Sequence, residues 1–382
     1  MRLQSVFGTG SFLACLVVSA LAHAEIGYSI TDIGNAGFHS SWPTAINADG
    51  LATGYLELAT PIQTDIGPWY PMHAFLYDGG GERDLGTLGG TESIGSGIND
   101  AGQVVGESET ALAPGQTGDN DWHAFLYSDG RMQDLGTLGG TYSGARAINN
   151  AGQITGYSDV APGERHAFVY ADNTMTDIGT LGGSQAYGED INDAGQVVGS
   201  SDVDFLHSHA FMYAGGTMTD LGSLAGVSGW SSASAINGNG TIVGSSDVGA
   251  AGDRHAFLYD GSGMVDLGTL GGARSSASDV NDLGYVVGES LLAGADGYHA
   301  FLYDGQQMVD LNTLIDPASG WTLTSAEAIN NDGSILASGT YNGQFGMLLL
   351  APVPEPHAYA MMLAGLGLIA GIVFRRRKAL AG

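Results

Sequence analysis

The middle of the chain consists of short runs in which apolar and polar residues alternate, separated by glycine-rich turns. One such run, from His73 to Tyr77, reads His-Ala-Phe-Leu-Tyr. It is followed by a run ending in Asp-Leu-Gly, a serine- and alanine-rich run ending in Ile-Asn, and a run ending in Val-Val-Gly. Alternation with a period of two is typical of half-buried β-strands, and Asn or Asp followed by Gly favours tight hairpin turns. The pattern predicts four short strands in each unit.

These four runs recur along the chain with a period of about 45 residues. The tripeptide His-Ala-Phe starts at six positions, separated by 50, 43, 43, 46 and 44 residues: His73, His123, His166, His209, His255 and His299. Between them recur the Asp of Asp-Leu/Ile-Gly and the Asn of the next turn, at Asp84, Asp134, Asp177, Asp220 and Asp266 and at Asn99, Asn149, Asn192, Asn237 and Asn281. Four strands in such a period are typical of one β-propeller blade.

The two ends of the repeat array are complementary half-units. The array opens with Asp32-Ile33-Gly34 and finishes with a degenerate His-Ala-Phe equivalent at Phe345-Gly346-Met347. When these half-units are included, each landmark occurs seven times. A ring closed by pairing the last strand with the first blade would leave no exposed edge strand. We therefore predict an all-β fold, a seven-bladed β-propeller of four-stranded repeats over residues 25–350.

Composition is consistent with an all-β chain and excludes several other classes. The 382 residues include 63 Gly without a Gly-X-Y period, and only 13% are charged, against about 25% in a typical domain. This excludes a coiled coil and a charged disordered chain. The net charge is −29, and residues 25–355 hold six Arg, no Lys and all 40 acidic residues. Because nucleic-acid binding depends on Lys and Arg, we expect no nucleic-acid partner.

The N-terminus predicts a secretory signal peptide over residues 1–24. Arg2 precedes an apolar run at residues 12–21, and the small residues of Ala22-His23-Ala24 follow. The single cysteine, Cys15, lies inside this segment, and lipid attachment at Cys15 is the less favoured alternative. The exported protein would then hold no thiol for a disulfide, a nucleophile or a metal site.

The C-terminus predicts a transmembrane helix over residues 358–374. These seventeen residues are uncharged and mostly apolar, and as a helix they would be about 25 Å long, the short limit for a membrane span. A basic cluster follows directly, at Arg375, Arg376, Arg377 and Lys378. Basic residues stay on the cytoplasmic side, so the repeat domain would lie on the other side of the membrane.

Residues 351–382 resemble the PEP-CTERM sorting signal of Gram-negative bacteria. The tripeptide Pro354-Glu355-Pro356, the apolar helix and the basic cluster occur there in this order. The resemblance implies an exosortase-type processing enzyme as partner, a transient inner-membrane anchor, cleavage near the tripeptide, and delivery to the cell surface or exopolysaccharide matrix. A simple tail anchor is the alternative.

The repeats resemble the HAF family of bacterial extracellular repeats. His-Ala-Phe, Asp-Leu-Gly-Thr-Leu-Gly-Gly and Ile-Asn-x-x-Gly recur in fixed order over nearly the whole exported domain. The resemblance implies a surface or matrix protein, and it carries over no catalytic residue.

We interpret the recurring polar residues as determinants of the fold. Equivalent His residues spread around a ring cannot converge on one metal ion, which needs three or four donors at about 2.0 to 2.3 Å. We predict instead that each His makes a hydrogen bond that ties neighbouring strands, and we interpret the recurring Asp in the same way. The Asn-Asp-x-Gly turns lack the ligand order of a calcium loop. No cofactor is therefore predicted, with Ca²⁺ as the lesser alternative.

Candidate ligand-binding residues lie where the units differ. The connection from the Val-Val-Gly run to the next His-Ala-Phe takes 10 or 11 residues in most units, but 19 from Gly54 to His73 and 17 from Gly106 to His123. These neighbouring insertions carry aromatic and acidic residues suited to stacking on sugar rings or contacting a partner: Asp65, Trp69, Tyr70, Asp119, Asp121 and Trp122. Surface loops whose Trp residues pack back on the blade are the alternative.

Two classes of function remain open. The first is a non-catalytic surface or matrix protein that binds polysaccharide or a protein partner through the propeller rim. The second is an exported polysaccharide lyase or hydrolase on the same scaffold. We favour the first because the fold accounts for nearly every recurring polar residue and no Ser or Cys triad pattern is present. An ice-binding role ranks lower because the sequence lacks a regular threonine array.

Overall fold

The computed structural model describes residues 27–33, 40–64, 67–112, 121–249, 252–294 and 297–353. The predicted signal peptide, the predicted transmembrane helix, the basic cluster, Asp65 and Asp119 lie outside these ranges. Within them the chain forms thirty β-strands and two short 3-10 helices, Leu311–Thr313 and Pro317–Ser319. The all-β prediction is confirmed. None of the helices in the described part of the chain is long and apolar enough to cross a membrane.

Each complete repeat contributes four antiparallel strands, in the order serine-rich, Val-Val-Gly, His-Ala-Phe and Asp-Leu-Gly. The first strand of the chain, β1 (Gly27–Asp32), stands apart from this order. Unit 1 comprises β2 (Ser40–Ile46), β3 (Ala52–Glu57), β6 (Met72–Tyr77) and β7 (Glu82–Asp84), with a separate hairpin of β4 (Ile62–Thr64) and β5 (Gly67–Trp69). Unit 2 comprises β8 (Gly89–Ile98), β9 (Val104–Thr110), β10 (Trp122–Ser128) and β11 (Arg131–Asp134). Unit 3 comprises β12 (Ser143–Ile148), β13 (Ile154–Ala161), β14 (Glu164–Ala171) and β15 (Thr174–Gly179).

The next three units follow the same plan. Unit 4 comprises β16 (Ala186–Ile191), β17 (Val197–Asp202), β18 (Ser208–Ala214) and β19 (Thr217–Gly222). Unit 5 comprises β20 (Ser231–Ile236), β21 (Ile242–Asp247), β22 (Arg254–Tyr259) and β23 (Met264–Asp266). Unit 6 comprises β24 (Gly271–Val280), β25 (Val286–Leu292), β26 (Tyr298–Tyr303) and β27 (Met308–Asp310). One parallel pairing of Arg254 with Arg274 joins units 5 and 6 into an eight-stranded sheet.

The two ends of the chain meet in the last sheet, unit 7. Its strands are β28 (Trp321–Ile329), β29 (Ile335–Tyr341), β30 (Gln344–Val353) and β1, in that order. β1 runs antiparallel to β30, with Gly27 opposite Val353 and Asp32 opposite Leu348. The terminal strands thus pair with each other, although the sheet they complete is the last one rather than the first.

The hydrophobic core lies between successive sheets. The Phe of His-Ala-Phe is fully buried in each complete unit, and burial of one such side chain contributes about 1.5 to 3 kcal/mol. Phe125 of unit 2 packs in one cluster with Ala74 of unit 1. Phe75 of unit 1 packs in another with Leu336 and Met347 of unit 7. The last unit therefore packs on the first.

A closed chain of asparagine hydrogen bonds connects the units. In every unit the Asn that begins the turn after the serine-rich strand donates from Nδ2 to the backbone carbonyl of the equivalent Asn in the next unit, at 2.9–3.2 Å. We call this the asparagine ring, and its members are Asn47, Asn99, Asn149, Asn192, Asn237, Asn281 and Asn330. Asn330 donates back to Asn47, so the chain of bonds has no end.

The recurring His and Asp contact each other on adjacent strands. In the six complete units His Nδ1 lies 2.7–3.0 Å from the carboxylate of the Asp eleven residues later. This matches the strand-tying hydrogen bond that the sequence predicts. Burial would raise the pKa of Asp84, but the His73 ring and the Gly86 amide outweigh it and hold that pKa below its usual value.

Candidate binding site at the channel mouth

The serine-rich strand of every unit lines a central cavity of about 210 Å³. We call this cavity the channel. The third residue before each ring asparagine lies in its wall, and these residues are Thr44, Ser96, Arg146, Glu189, Ser234, Ser278 and Glu327. Four units place a hydroxyl there and three place a charge. The channel is therefore asymmetric in its chemistry although the backbone repeats.

A wider cavity of about 430 Å³ continues from the channel at one end of the strands. We call it the mouth pocket. It shares the third-position residues of units 1 to 4 with the channel, and it adds four others: Tyr55, Met72, Ile94 and Glu107. Glu57 pairs with Met72 at the point where the first insertion leaves the sheet. We call this end of the strands the insertion face, and the end that carries the asparagine ring the asparagine face.

A network of Arg, Tyr and Glu side chains borders the mouth pocket, and three of its members line it, Arg146, Glu189 and Glu107. Arg146 Nε lies 3.9 Å from a Glu189 carboxylate oxygen, and its guanidinium carbon lies 5.1 Å from the centre of the Tyr157 ring. The Tyr157 hydroxyl donates to Glu107 at 2.5 Å. A Cβ added at Gly144 would lie 2.3 Å from Glu107, so only glycine leaves room for this contact.

Burial and charge fix the protonation of this network. Burial alone would lower the pKa of Arg146, but Glu107 and Glu189 raise it above its usual value. Burial, followed by the charge of Glu107, raises the pKa of Tyr157. The pocket wall thus carries a permanently charged guanidinium, and the neutral phenol of Tyr157 lies behind it.

The network retains hydrogen-bonding capacity at the cavity. The Arg146 side chain lines the cavity and is 34% exposed, whereas its Nε–H is buried and faces Glu189. The carboxylates of Glu107 and Glu189 line the same space and accept hydrogen bonds. Hydroxyl groups both donate and accept, so a polyhydroxylated ligand would satisfy both kinds of group. Tyr55 and Ile94 add apolar surface for its C–H faces.

The candidate residues from the sequence lie near this pocket but not in its wall. Trp69, at the end of β5, is 36% exposed, while Tyr70 and Trp122 are half-buried. Asp121 is exposed, and its carbonyl accepts the Thr110 amide. None of these four described residues lines the mouth pocket, whereas Met72, two residues after Tyr70, does.

The sequence pattern does not by itself identify four residues of this network, Arg146, Glu189, Glu107 and Tyr157. A signal was present for the first two, because a charge replaces Ser or Thr three residues before the ring asparagine. Glu107 and Tyr157 follow the Gly of the Val-Val-Gly run. That run was expected to end at this Gly, whereas β9 and β13 continue through Thr110 and Ala161.

Two half-buried aspartates in the channel wall have a structural role. Asp190 accepts the amides of Ile191 and of Ile236 in the next unit, both at 2.8 Å. Asp279 accepts the amides of Val280 and of Ile329 in the same way. Burial raises the pKa of Asp190 to about 7 and raises that of Asp279 as well.

Across the described ranges, no group of three or more His, Cys, Asp or Glu side chains is arranged to hold a metal ion. The turn residues that suggested Ca²⁺ bond to backbone instead. Asn47 Oδ1 accepts the amides of Asp49 and Leu51, and Asp100 accepts the amide of Ala48 in the preceding unit.

The last described strand ends at Val353, directly before the Pro-Glu-Pro tripeptide. Residues 352–378 match the PEP-CTERM protein-sorting motif. The motif implies export, exosortase processing and membrane-anchored maturation toward the cell surface. No curated protein matches the chain.

Several solved structures share part of the strand arrangement at low sequence identity. An Agrobacterium tumefaciens protein described as TolB is 14% identical with a TM-score of 0.40, and the match covers 61% of this chain and 87% of that one. TolB from Acinetobacter baumannii is 12% identical with a TM-score of 0.38, covering 74% and 76%. Trypanosoma rangeli sialidase is 11% identical with a TM-score of 0.34, covering 81% and 53%. Likenesses this weak indicate no function.

Proposed function

We propose that this protein is an exported, non-catalytic surface or extracellular-matrix protein that binds polysaccharide through its insertion face. Its scaffold would be a seven-bladed β-propeller of HAF-type repeats. The observation that most supports binding is the mouth pocket, which lies beside the first insertion. In its wall, Arg146 and Glu189 replace the Ser or Thr of other units.

The blade count is supported by three features of the described strands. Seven units of four strands share one order, the asparagine ring passes once through each unit, and unit 7 packs on unit 1 through Phe75 and Met347. A propeller positions its variable loops on a common face, which is where proteins commonly carry binding residues.

A polysaccharide ligand fits the chemistry of the mouth pocket. A sugar ring has apolar C–H faces, which Tyr55 and Ile94 can contact, and hydroxyls, which Glu107 and Arg146 can bond. The recurring His and Asp are already engaged with each other and with turn amides, which leaves the irregular positions for binding.

The route of the chain also supports a function on the insertion face. Gly27 and Val353 pair at the asparagine face, since Leu350 of the same strand lies opposite Ile335, close to the Asn330 turn. The described chain therefore ends at the face opposite the mouth pocket, and the insertion face carries neither end of it.

Aromatic substitutions in the mouth pocket and beside it test this proposal. We expect Tyr55→Ala, in the pocket wall, and Trp69→Ala and Trp122→Ala, on the same face, each to weaken binding to a polysaccharide panel at least about five-fold, because a stacked aromatic contributes on the order of 1 kcal/mol. Their melting temperatures should stay near that of the parent. The control, His166→Ala, should lower stability by loss of its bond to Asp177 and leave affinity unchanged. Unchanged binding by the Tyr55 variant and both Trp variants, or release of cleaved polysaccharide by the parent, would overturn the proposal.

The sorting step has its own test. Replacing Pro354-Glu355-Pro356 by Ala-Ala-Ala should retain the protein in the inner membrane, because the motif that the processing enzyme recognises is gone. Fractionation of cells and medium measures this. Equal release of the variant and the parent would contradict it.

A further inference from the structure

A second cavity on the insertion face lies between units 5 and 6. Its volume is about 290 Å³. We call it the arginine pocket, and its lining residues are Ser245, Gly252, Arg254, Arg274, Ser275, Ser276, Glu289 and Tyr298. Gly252 belongs to the connection between β21 and β22, which corresponds to the insertions of units 1 and 2. The pocket therefore opens on the same face as the mouth pocket.

Two arginines lie side by side in this pocket. Residues 25–355 hold only six Arg, so two in one cavity are a large share of the positive charge. Arg254 and Arg274 are Cα partners in the single parallel pairing between β22 and β24. Like charges paired across strands are destabilising unless something compensates them.

Only one of the two arginines has a compensating charge among the described residues. Arg254 Nε lies 3.4 Å from Asp247, and its guanidinium carbon lies 3.6 Å from the centre of the Trp230 ring. Arg274 is exposed, and no ion pair joins it to a described carboxylate. Arg274 is thus a cation at the pocket wall that an incoming anion can bind.

The other lining groups define which anion fits. Glu289 disfavours a dianion such as a phosphate monoester, because two negative charges would repel its carboxylate. The same carboxylate accepts hydrogen bonds from hydroxyls, and Ser245, Ser276 and Tyr298 add hydroxyls and an aromatic ring. Guanidinium binds a planar carboxylate with two parallel hydrogen bonds. The volume is at the lower end for ligand sites and suits a single sugar unit.

We propose that the arginine pocket binds a uronate, a sugar unit carrying one carboxylate. Arg274 would bind the carboxylate, and Glu289 would accept hydrogen bonds from the hydroxyls of the sugar. That the uronate belongs to a polysaccharide rests on the proposed function. Binding of the free sugar does not. The protein would then hold an acidic polysaccharide at two places on one face, through a charge in units 5 and 6 and through hydroxyls in units 1 to 4.

Titration of the full exported protein with D-glucuronate and with D-glucose, followed by NMR at millimolar sugar, tests the inference. We expect glucuronate to bind at least ten-fold more tightly than glucose, and its affinity to fall as salt is raised, because an ion pair is screened. Arg274→Ala should lower glucuronate affinity at least ten-fold. The matched control is Arg131→Ala, an exposed arginine at the start of β11, which should leave it unchanged.

Three results would overturn the inference: equal binding of glucuronate and glucose, equal loss in the Arg274 and Arg131 variants, or tighter binding of glucose 6-phosphate than of glucuronate. The two proposals fail separately. If Trp69→Ala weakens polysaccharide binding while Arg274→Ala leaves glucuronate binding unchanged, the uronate site is wrong and the proposed function stands. The reverse pattern would leave a uronate site without the mouth-pocket function.

Discussion

At the scale of single residues, the ring asparagine serves both its own turn and the neighbouring unit. Oδ1 of Asn192 accepts the amides of Ala194 and Gln196 within the turn, while Nδ2 donates to the Asn237 carbonyl. The sequence predicted the turn, because Asn favours it locally. The bond to the next unit could not be predicted, because its partner is a backbone atom 45 residues away.

Loss of one ring asparagine should destabilise the whole molecule. Asn192→Ala leaves the turn amides of Ala194 and Gln196 without their acceptor and removes one of the two hydrogen bonds that the Asn237 carbonyl accepts, the other coming from the Gly240 amide. A buried group left without a partner costs about 1 to 3 kcal/mol. Denaturant unfolding of the parent and the variant measures this. Asn239→Ala is the control, because its bond to the Asp282 carbonyl is exposed, and it should cost less than about 0.5 kcal/mol. Equal losses in both variants would contradict the role of the ring.

The channel aspartates should make stability depend on pH. The raised pKa of Asp190, about 7 in the folded protein, means that the folded state keeps its proton where the unfolded state has lost it. Its contribution to stability is therefore full below about pH 4 and is lost as the pH rises through 7. The melting temperature of Asp190→Asn, measured relative to that of the parent, should rise by at least about 2 °C between pH 5 and pH 8. A difference independent of pH would show that Asp190 does not titrate in this range.

At the scale of strands, the Gly of the Val-Val-Gly run permits a close approach rather than a strand end. A Cβ at Gly199 would lie 1.9 Å from the Tyr187 carbonyl, and one at Gly156 would lie 2.0 Å from the Gly144 carbonyl. In both units the partner strand has a register shift at this point. The sequence shows the glycine but not the bulge opposite it, which is why β9 and β13 were expected to be shorter.

Substitution by Ala, which adds one methyl group, should destabilise the fold at these glycines and not at glycines in open loops. We expect Gly199→Ala to destabilise the fold by more than about 3 kcal/mol or to prevent folding, because a backbone oxygen occupies the space. Gly249→Ala should be nearly neutral, because no atom lies within 4 Å of its added Cβ. Thermal unfolding of the two variants side by side is sufficient. Similar melting temperatures would show that the bulge relaxes without cost.

The same periodicity explains what could be predicted about the candidate site. A residue that recurs in every complete unit, such as His166, is constrained by the fold. A hydrogen bond from it to a neighbouring strand, here to Asp177, could be predicted from the repeat. Arg occurs in one unit at the position of Arg146, and Tyr occurs in two units at that of Tyr157. The contact of Arg146 with Tyr157 depends on side chains brought together from adjacent strands of unit 3. The repeat therefore identifies the face that varies. The pocket on that face cannot be predicted from the repeat, because it depends on how side chains of adjacent strands pack together.

At the scale of the whole molecule, ring closure rests on the pairing of β1 with β30. Deleting residues 339–350 removes most of β30 and leaves β1 without its neighbour. Because this uncovers strand edges and the Phe75 cluster, we expect a lower melting temperature and self-association in size-exclusion chromatography. A truncated protein that stays monomeric and melts like the parent would contradict a closed ring.

The pairing of β1 with β30 also determines when the fold can be completed during synthesis. Asp32 is synthesised early and Leu348 near the end, so nearly the whole repeat domain must emerge before the two can meet. At elongation rates of about 5–20 residues per second that interval is on the order of tens of seconds. Throughout it, the apolar surface of unit 1 around Leu56 and Phe75 has no neighbour to cover it. The nascent chain is therefore most vulnerable to aggregation and proteolysis just before its last strand arrives, and a chaperone that binds unit 1 would protect it at that stage.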